Sequence, residues 1–129
     1  MLAQAEAFSG FAVPDLAQAE AFYGQTLGIE TELLDEQNGL LTLHLAGGRD
    51  TLIYRKPDHQ AATYTILNFR VDDIDAVVDG LVERGVEFER YDGFEQDEKG
   101  IARGRAQNQG PDIAWFTDPA GNILAVMQD

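Results

Sequence analysis

Hydrophobic positions along this chain fall into two rhythms, and the order of the rhythms is repeated. A period of two suits a strand with one buried face, and a period near 3.6 suits an amphipathic helix. Over residues 5–13 the alternation predicts a strand with Phe11 and Val13 on one face and Phe8, Gly10 and Ala12 on the other. The following stretch carries Leu16, Ala19, Phe22, Tyr23 and Leu27 at helical spacing. Asp15 fits the N-cap of that helix, with Gln18 as the reciprocal member of a capping box. Gly28 fits the left-handed position just past its end. Strands are expected at 30–35, 40–46 and 51–55. Asn38-Gly39 joins the first two as a hairpin, because both residues tolerate positive φ.

After a connection at 56–62 the plan starts again. Residues 63–71 alternate as a strand, with Leu67, Phe69 and Val71 on one face and Ile66, Asn68 and Arg70 on the other. A helix is expected over 74–84, its buried stripe made of Ile74, Val77, Val78 and Leu81. A short strand at 87–91 and a long polar loop at 92–110 lead to strands at 113–117 and 123–127.

The two halves share wording as well as rhythm. Phe11-Ala12-Val13-Pro14-Asp15-Leu16 is answered by Phe69-Arg70-Val71-Asp72-Asp73-Ile74, and Gly28-Ile29-Glu30 by Gly85-Val86-Glu87. Self-similarity at this scale means a duplicated supersecondary unit. The expected architecture is α+β: two βαβββ modules, each a curled, mixed and largely antiparallel sheet with its helix on the convex side. Their concave faces would form a cleft. The chain reads as one domain, with module one at about 5–56, a linker at 57–62 and module two at about 63–128. A second echo, Leu2–Phe8 against Leu16–Phe22, falls on a helix in one copy and leaves the start of the first strand open.

Composition narrows the function. The chain has 129 residues, enough for a substantial core, and no apolar run long enough to span a bilayer. Its first residues lack the basic start and apolar run of a signal peptide, so the cytoplasm is the expected location. With Cys 0, neither a disulfide nor a thiolate chemistry is available. The formal charge of −14 repels phosphate backbones and argues against nucleic acid as a partner. The same field attracts cations, although solubility alone also accounts for it. Ser9, the sole serine, lies outside any nucleophile-elbow pattern, and no Gly-rich phosphate loop is present.

The element order, the two helix entries and Trp115-Phe116-Thr117-Asp118-Pro119-Ala120-Gly121-Asn122-Ile123-Leu124 together resemble the vicinal oxygen chelate superfamily of glyoxalases, bleomycin-resistance proteins and extradiol dioxygenases. The closing hairpin has a local logic. Asp118 can satisfy turn amides, Pro119 presets φ, and Gly121 adopts a conformation other residues resist. The resemblance implies a homodimer and, in metal-dependent relatives, ligands on the first and last strands of each half. Counting back from Asp15 and Asp73 lands on Phe8 and Ile66, and counting on from Asn122 lands on Ala125. The weaker alignment of Asp50-Thr51-Leu52-Ile53 gives Ile53 as the fourth position. None of the four carries a donor that a divalent cation accepts, so the expectation is no metal and no cofactor.

Alternation would turn Thr42, His44 and Ile53, with Ile66, Asn68 and Arg70, toward the concave side. Trp115, Ala125 and Met127 would join them, and Phe8 belongs with this group. Such an apolar basin with a few polar groups suits a small molecule. Trp115 offers a stacking surface, or ordinary core packing. His44 reads as a general base or as a half-exposed strand histidine. Asn68 and Arg70 could orient a ligand carboxylate or carbonyl, or simply bond at the sheet rim. Arg103 and Arg105 leave open whether the 92–110 loop is an anion-holding lid or a solvated connection.

The sequence thus favours a metal-free protein that binds a cationic or aromatic small molecule, with no nucleic-acid or membrane partner. A metal-independent lyase or isomerase using His44 or Arg70 is the alternative. A structural or regulatory dimerisation module is the third reading.

Overall fold

Two aspartates start the two helices in the same way. Asp15 Oδ1 accepts the backbone N–H of Gln18 at 3.0 Å, and Asp73 Oδ1 accepts that of Ala76 at 3.1 Å. Each satisfies an amide that the first helical turn leaves without a partner. A computed structural model describes all 129 residues. The chain divides into two compact units, residues 1–60 and 61–129.

In the first unit, strand β1 (Ser9–Val13) leads into helix α1 (Leu16–Glu20). The helix widens into a π-helix over Ala21–Thr26, where Leu27 N–H reaches Phe22 O, and it closes past Gly28 with Ile29 N–H bonded to Tyr23 O. Phe22 and Tyr23 meet edge to face there, with ring centroids 5.2 Å apart. Strands β2 (Glu30–Asp35), β3 (Leu40–Leu45) and β4 (Arg49–Arg55) follow. The sheet order is β1-β4-β3-β2, with β1 parallel to β4 and the other pairs antiparallel. Register aligns Phe11, Ile53 and Leu41 across the sheet. Phe11 meets Tyr23 of the helical segment at 5.6 Å, so this is the helix face, and Tyr23, Leu41, Leu43 and Ile53 are fully buried on it.

The second unit repeats that topology. Strand β5 (Thr65–Arg70) and helix α2 (Ile74–Glu83) precede β6 (Ala102–Arg103), β7 (Asp112–Thr117) and β8 (Ile123–Gln128), in the order β5-β8-β7-β6. Again the first strand runs parallel to the last. Helix α2 buries Ile74 and Val78, and Ile74 N–H donates to Gln128 Oε1 at 3.0 Å. Gln128 shares its strand face with Val126 and Leu124, both buried, which therefore face the helix. The architecture is α+β, built as two βαβββ modules with mixed four-stranded sheets. No helix is long and apolar enough to cross a membrane.

Three expectations need correction. Strand β1 starts at Ser9 rather than near residue 5; a 3-10 turn occupies Leu2–Gln4, and residues 1–8, which precede the strand, are all exposed. Nothing packs against those side chains to hold them in a sheet. The strand expected at 87–91 shrinks to one bridge, Phe88 to Phe116. The fourth strand is instead β6, inside the stretch expected to be loop, where Ala102 and Arg103 pair with Ile113 and Asp112. A two-residue strand has no periodicity to read, so only its partner reveals it.

Candidate functional site

Sheet register decides which side chains can meet. In the first unit Thr42 pairs with Leu52, and Leu52 with Gly10, so these lie on the face turned away from the helix, together with His44. Ile53 does not. It sits one residue off, fully buried on the helix face beside Phe11 and Leu41. This corrects its assignment to the ligand-facing side: a shift of one residue along a strand exchanges the faces. Leu52 and Tyr54 occupy the outward positions on either side. Phe8 lies before the strand and is 71% exposed.

His44 holds the polar centre of that face. Its Nδ1 lies 2.9 Å from Asp50 Oδ1 and its Nε2 lies 3.0 Å from Glu32 Oε1. Glu32 comes from β2 and Asp50 from β4, so the imidazole bridges the strands on both sides of its own. Two carboxylates satisfy both ring nitrogens only when both carry protons, because an ionised carboxylate is purely an acceptor. The bond to Asp50, then that to Glu32, raises the His44 pKa above its ordinary value. This arrangement favours the protonated form of His44, in which both ring nitrogens donate. The other histidine, His59, has its Nε2 buried without a hydrogen-bond partner.

In the second unit, Asn68, Ala125 and Trp115 pair in one row, and Arg70, Met127 and Ile113 in the next. All six face away from α2. Ala125 is fully buried and Trp115 is 8% exposed, whereas Asn68 and Arg70 are exposed. Arg70 Nε bonds Asp129 Oδ2 at 2.8 Å, the rim ion pair rather than an inward-pointing guanidinium. Ile66 falls at an irregularity of register between Thr65 and Leu67, and is half-buried.

Trp115 is covered by two aromatic residues that strand alternation does not flag. Tyr91 meets it edge to face at 5.6 Å, and Phe94 lies over it at 4.9 Å with a 53° tilt. Their one trace in the sequence is a pair of aromatics three residues apart in a polar stretch. Burial, then the nearby Glu89 carboxylate, raises the Tyr91 pKa, which keeps its hydroxyl neutral.

The segment behind these rings is pinned. Arg103 donates from both terminal nitrogens to Asp75, at 3.0 and 2.7 Å, and from Nε to Asp97 at 2.9 Å. Lys99 Nζ adds contacts to Asp79 at 3.1 Å and Asp75 at 3.3 Å. Arg103 is thereby spent on its own carboxylates, so the anion-holding role considered for it lacks a free guanidinium. Arg105 lies 3.7 Å from Asp112, and its backbone N–H bonds the same carboxylate.

The closing hairpin behaves as its chemistry demands. Asp118 Oδ1 accepts the N–H groups of Ala120 and Asn122, both at 2.9 Å, and Oδ2 accepts Asn122 Nδ2 at 3.0 Å. Gly121 has φ of 89°. A profile of the Glyoxalase/Bleomycin resistance protein/Dioxygenase superfamily matches residues 7–126. The chain belongs to that superfamily. Solved structures agree in fold. TnmS3, an antibiotic-binding protein from Streptomyces sp. CB03234, is 25% identical, with TM-score 0.67 over 97% of each chain. An integron cassette protein from the mobile metagenome of the Halifax Harbour sewage outfall is 20% identical, with TM-score 0.69 over 96% of this chain and 99% of its own. The fosfomycin resistance protein FosX from Listeria monocytogenes is 16% identical, with TM-score 0.66 over 98% of this chain and 91% of its own. A search of curated proteins returned no match.

Metal-dependent chemistry in this superfamily needs donors that these residues do not supply. Phe8, Ile66 and Ala125 offer no imidazole or carboxylate, and Leu52 and Tyr54, which flank Ile53 on the outward face, offer none either. No group of three or more His, Cys, Asp or Glu side chains is arranged to hold a metal ion. The donor set does not fit a divalent cation.

Proposed function

We propose that this superfamily member is a small-molecule-binding protein that works without a metal, sequestering a cationic or aromatic ligand. One observation carries the reading: on the outward face of the second sheet, buried Trp115 lies against Tyr91 and a 56% exposed Phe94, an aromatic cluster in an acidic chain. Aromatic faces attract cations as well as flat rings, and a net charge of −14 favours the cation. The likeness to TnmS3 supports a ligand of antibiotic type. Calorimetry and thermal-shift screening against cationic antibiotics and aromatic metabolites test it. Saturable binding that Trp115→Ala weakens supports the reading, and no binding across both classes overturns it.

The same reading includes a cytoplasmic homodimer. Leu33 and Leu34 on the edge strand β2 are both exposed, and an edge strand with apolar side chains is a natural pairing surface. Light scattering that gives a monomer would reject the dimer. Asp50 beside His44 favours a second reading, a metal-independent lyase or isomerase. Asp50 would orient the ring, and Nε2 would act as base once Glu32 releases it. Unchanged turnover in His44→Ala would exclude that role.

A further inference from the structure

A cleft of about 300 Å³ opens in the second unit beside the edge strand β6, lined by Phe94, Ile113, Ala102 and Pro111, with Glu95, Gln107 and Gln109 among its polar walls. Its volume is at the small end of what a drug-sized or fragment-sized ligand occupies. Phe94 joins it to the aromatic cluster: the ring rests on Trp115 at 4.9 Å while Phe94 remains 56% exposed. A large exposed aromatic, held by a second aromatic and bordering a cleft, is a ready stacking surface.

The charges around the cleft are unequal. Arg103 is a lining residue, but its guanidinium is taken by Asp75 and Asp97 at 2.7–3.0 Å. Glu95 is exposed and forms no ion pair or side-chain hydrogen bond. The uncompensated charge is therefore negative. Gln107 and Gln109 carry no partnered side-chain amide, so each can donate or accept toward a polar edge. The loop that carries them is tightly shaped: a Cβ on Gly104 would stand 2.5 Å from Pro111 O, and Asn108 takes a left-handed φ of 56°.

We infer that this cleft is a subsite for a planar aromatic cation, its ring stacked against Phe94 and Ile113 and its charge facing Glu95. The inference deepens the proposed binding function and rests on it, since it names one part of the surface and one class of ligand.

The chain contains Trp 1, so fluorescence from Trp115 reports this region alone. Full-length protein is titrated at neutral pH with 1-methylquinolinium and, separately, with quinoline, its uncharged counterpart. Fluorescence and calorimetry are read together, because loss of Phe94 would itself expose Trp115. The expected result is saturable quenching with preference for the cation. Glu95→Gln should weaken the cation about threefold and leave quinoline unchanged. Phe94→Ala should weaken both about threefold to tenfold. Binding of the cation that ignores both substitutions overturns the subsite while leaving the binding function standing. Equal affinity for cation and quinoline overturns the ligand class. No binding of either probe, alongside hits elsewhere in the antibiotic and metabolite panel, also overturns the subsite alone. Failure of the whole panel overturns both.

Discussion

Arg103 grips Asp75 with two parallel N–H···O bonds, tying the edge strand β6 to helix α2. The bond to Arg103 depresses the Asp75 pKa from 3.8 to about 2. A depressed carboxylate adds stability that is present above its unfolded pKa and disappears as pH falls through the folded one. The window is therefore pH 4 down to 2. The full shift corresponds to about 2 kcal/mol, but the Asp75 side chain is 44% exposed, and solvent screening reduces this to about 1 kcal/mol. Asp75→Asn should lose about that much at neutral pH and show a flatter acid limb in chemical denaturation. Arg103→Gln should cost about 2 kcal/mol, because Asp97 loses its cation as well and buried Asp112 is left with Arg105 alone. An unchanged midpoint in Arg103→Gln would contradict this role.

His44 should titrate in the opposite sense. Its pKa is raised by Asp50 and then Glu32, so its contribution is complete below the ordinary histidine value near 6.5. That contribution is lost as pH rises through the folded value. Wild-type stability should decline over this alkaline step, and His44→Gln should not show it. NMR of the imidazole protons reads the midpoint directly. A midpoint at or below 6.5 would refute this preference for the protonated form.

The Asp118 turn concentrates stability in one carboxylate. Asp118→Ala leaves the Ala120 and Asn122 amides and the Asn122 side chain without their acceptor, in a site where Asp118 and Asn122 are both buried. The expected loss is about 2–3 kcal/mol by denaturant melt. Gly121→Ala should cost about 1 kcal/mol or more, since φ is 89° and the new Cβ would sit 3.3 Å from Ala61 Cβ.

Metal removal should change nothing. Protein purified without chelator is expected to carry no stoichiometric Zn, Ni, Fe or Mn, and addition of chelator should leave its Tm unmoved. A retained metal near one per chain, or a Tm that falls on chelation, would reverse the metal-free reading.

Several features are legible in the chain because their physics is local. Asp15 and Asp73 cap helices from within one turn of chain, and Gly28 and Gly85 take the left-handed φ of 74° and 91° that ends each helix. Gly39 takes the φ of 71° that turns the Asn38-Gly39 hairpin. Strand alternation also places Asn68, Arg70, Trp115, Ala125 and Met127 on one face correctly. Ile53 goes wrong because its position is borrowed from a turn alignment rather than from its own strand, where Thr51, Ile53 and Arg55 share a side. The partners of His44 escape the same reading: the Asn38-Gly39 hairpin sets Glu30 opposite His44, yet the ring bonds Glu32, which pairs with Thr42 one step along the strand face.

By itself, then, the sequence determined the duplicated βαβββ plan, its caps and turns, and an apolar face at Trp115, because each follows from residues close along the chain. Tertiary structure decided the rest. Glu32 and Asp50 converge on His44, Tyr91 and Phe94 close over Trp115, and Arg103 finds Asp75 from a distance of 28 residues. Those contacts depend on sheet register and on how a polar segment folds back, and neither leaves a periodic trace in the chain.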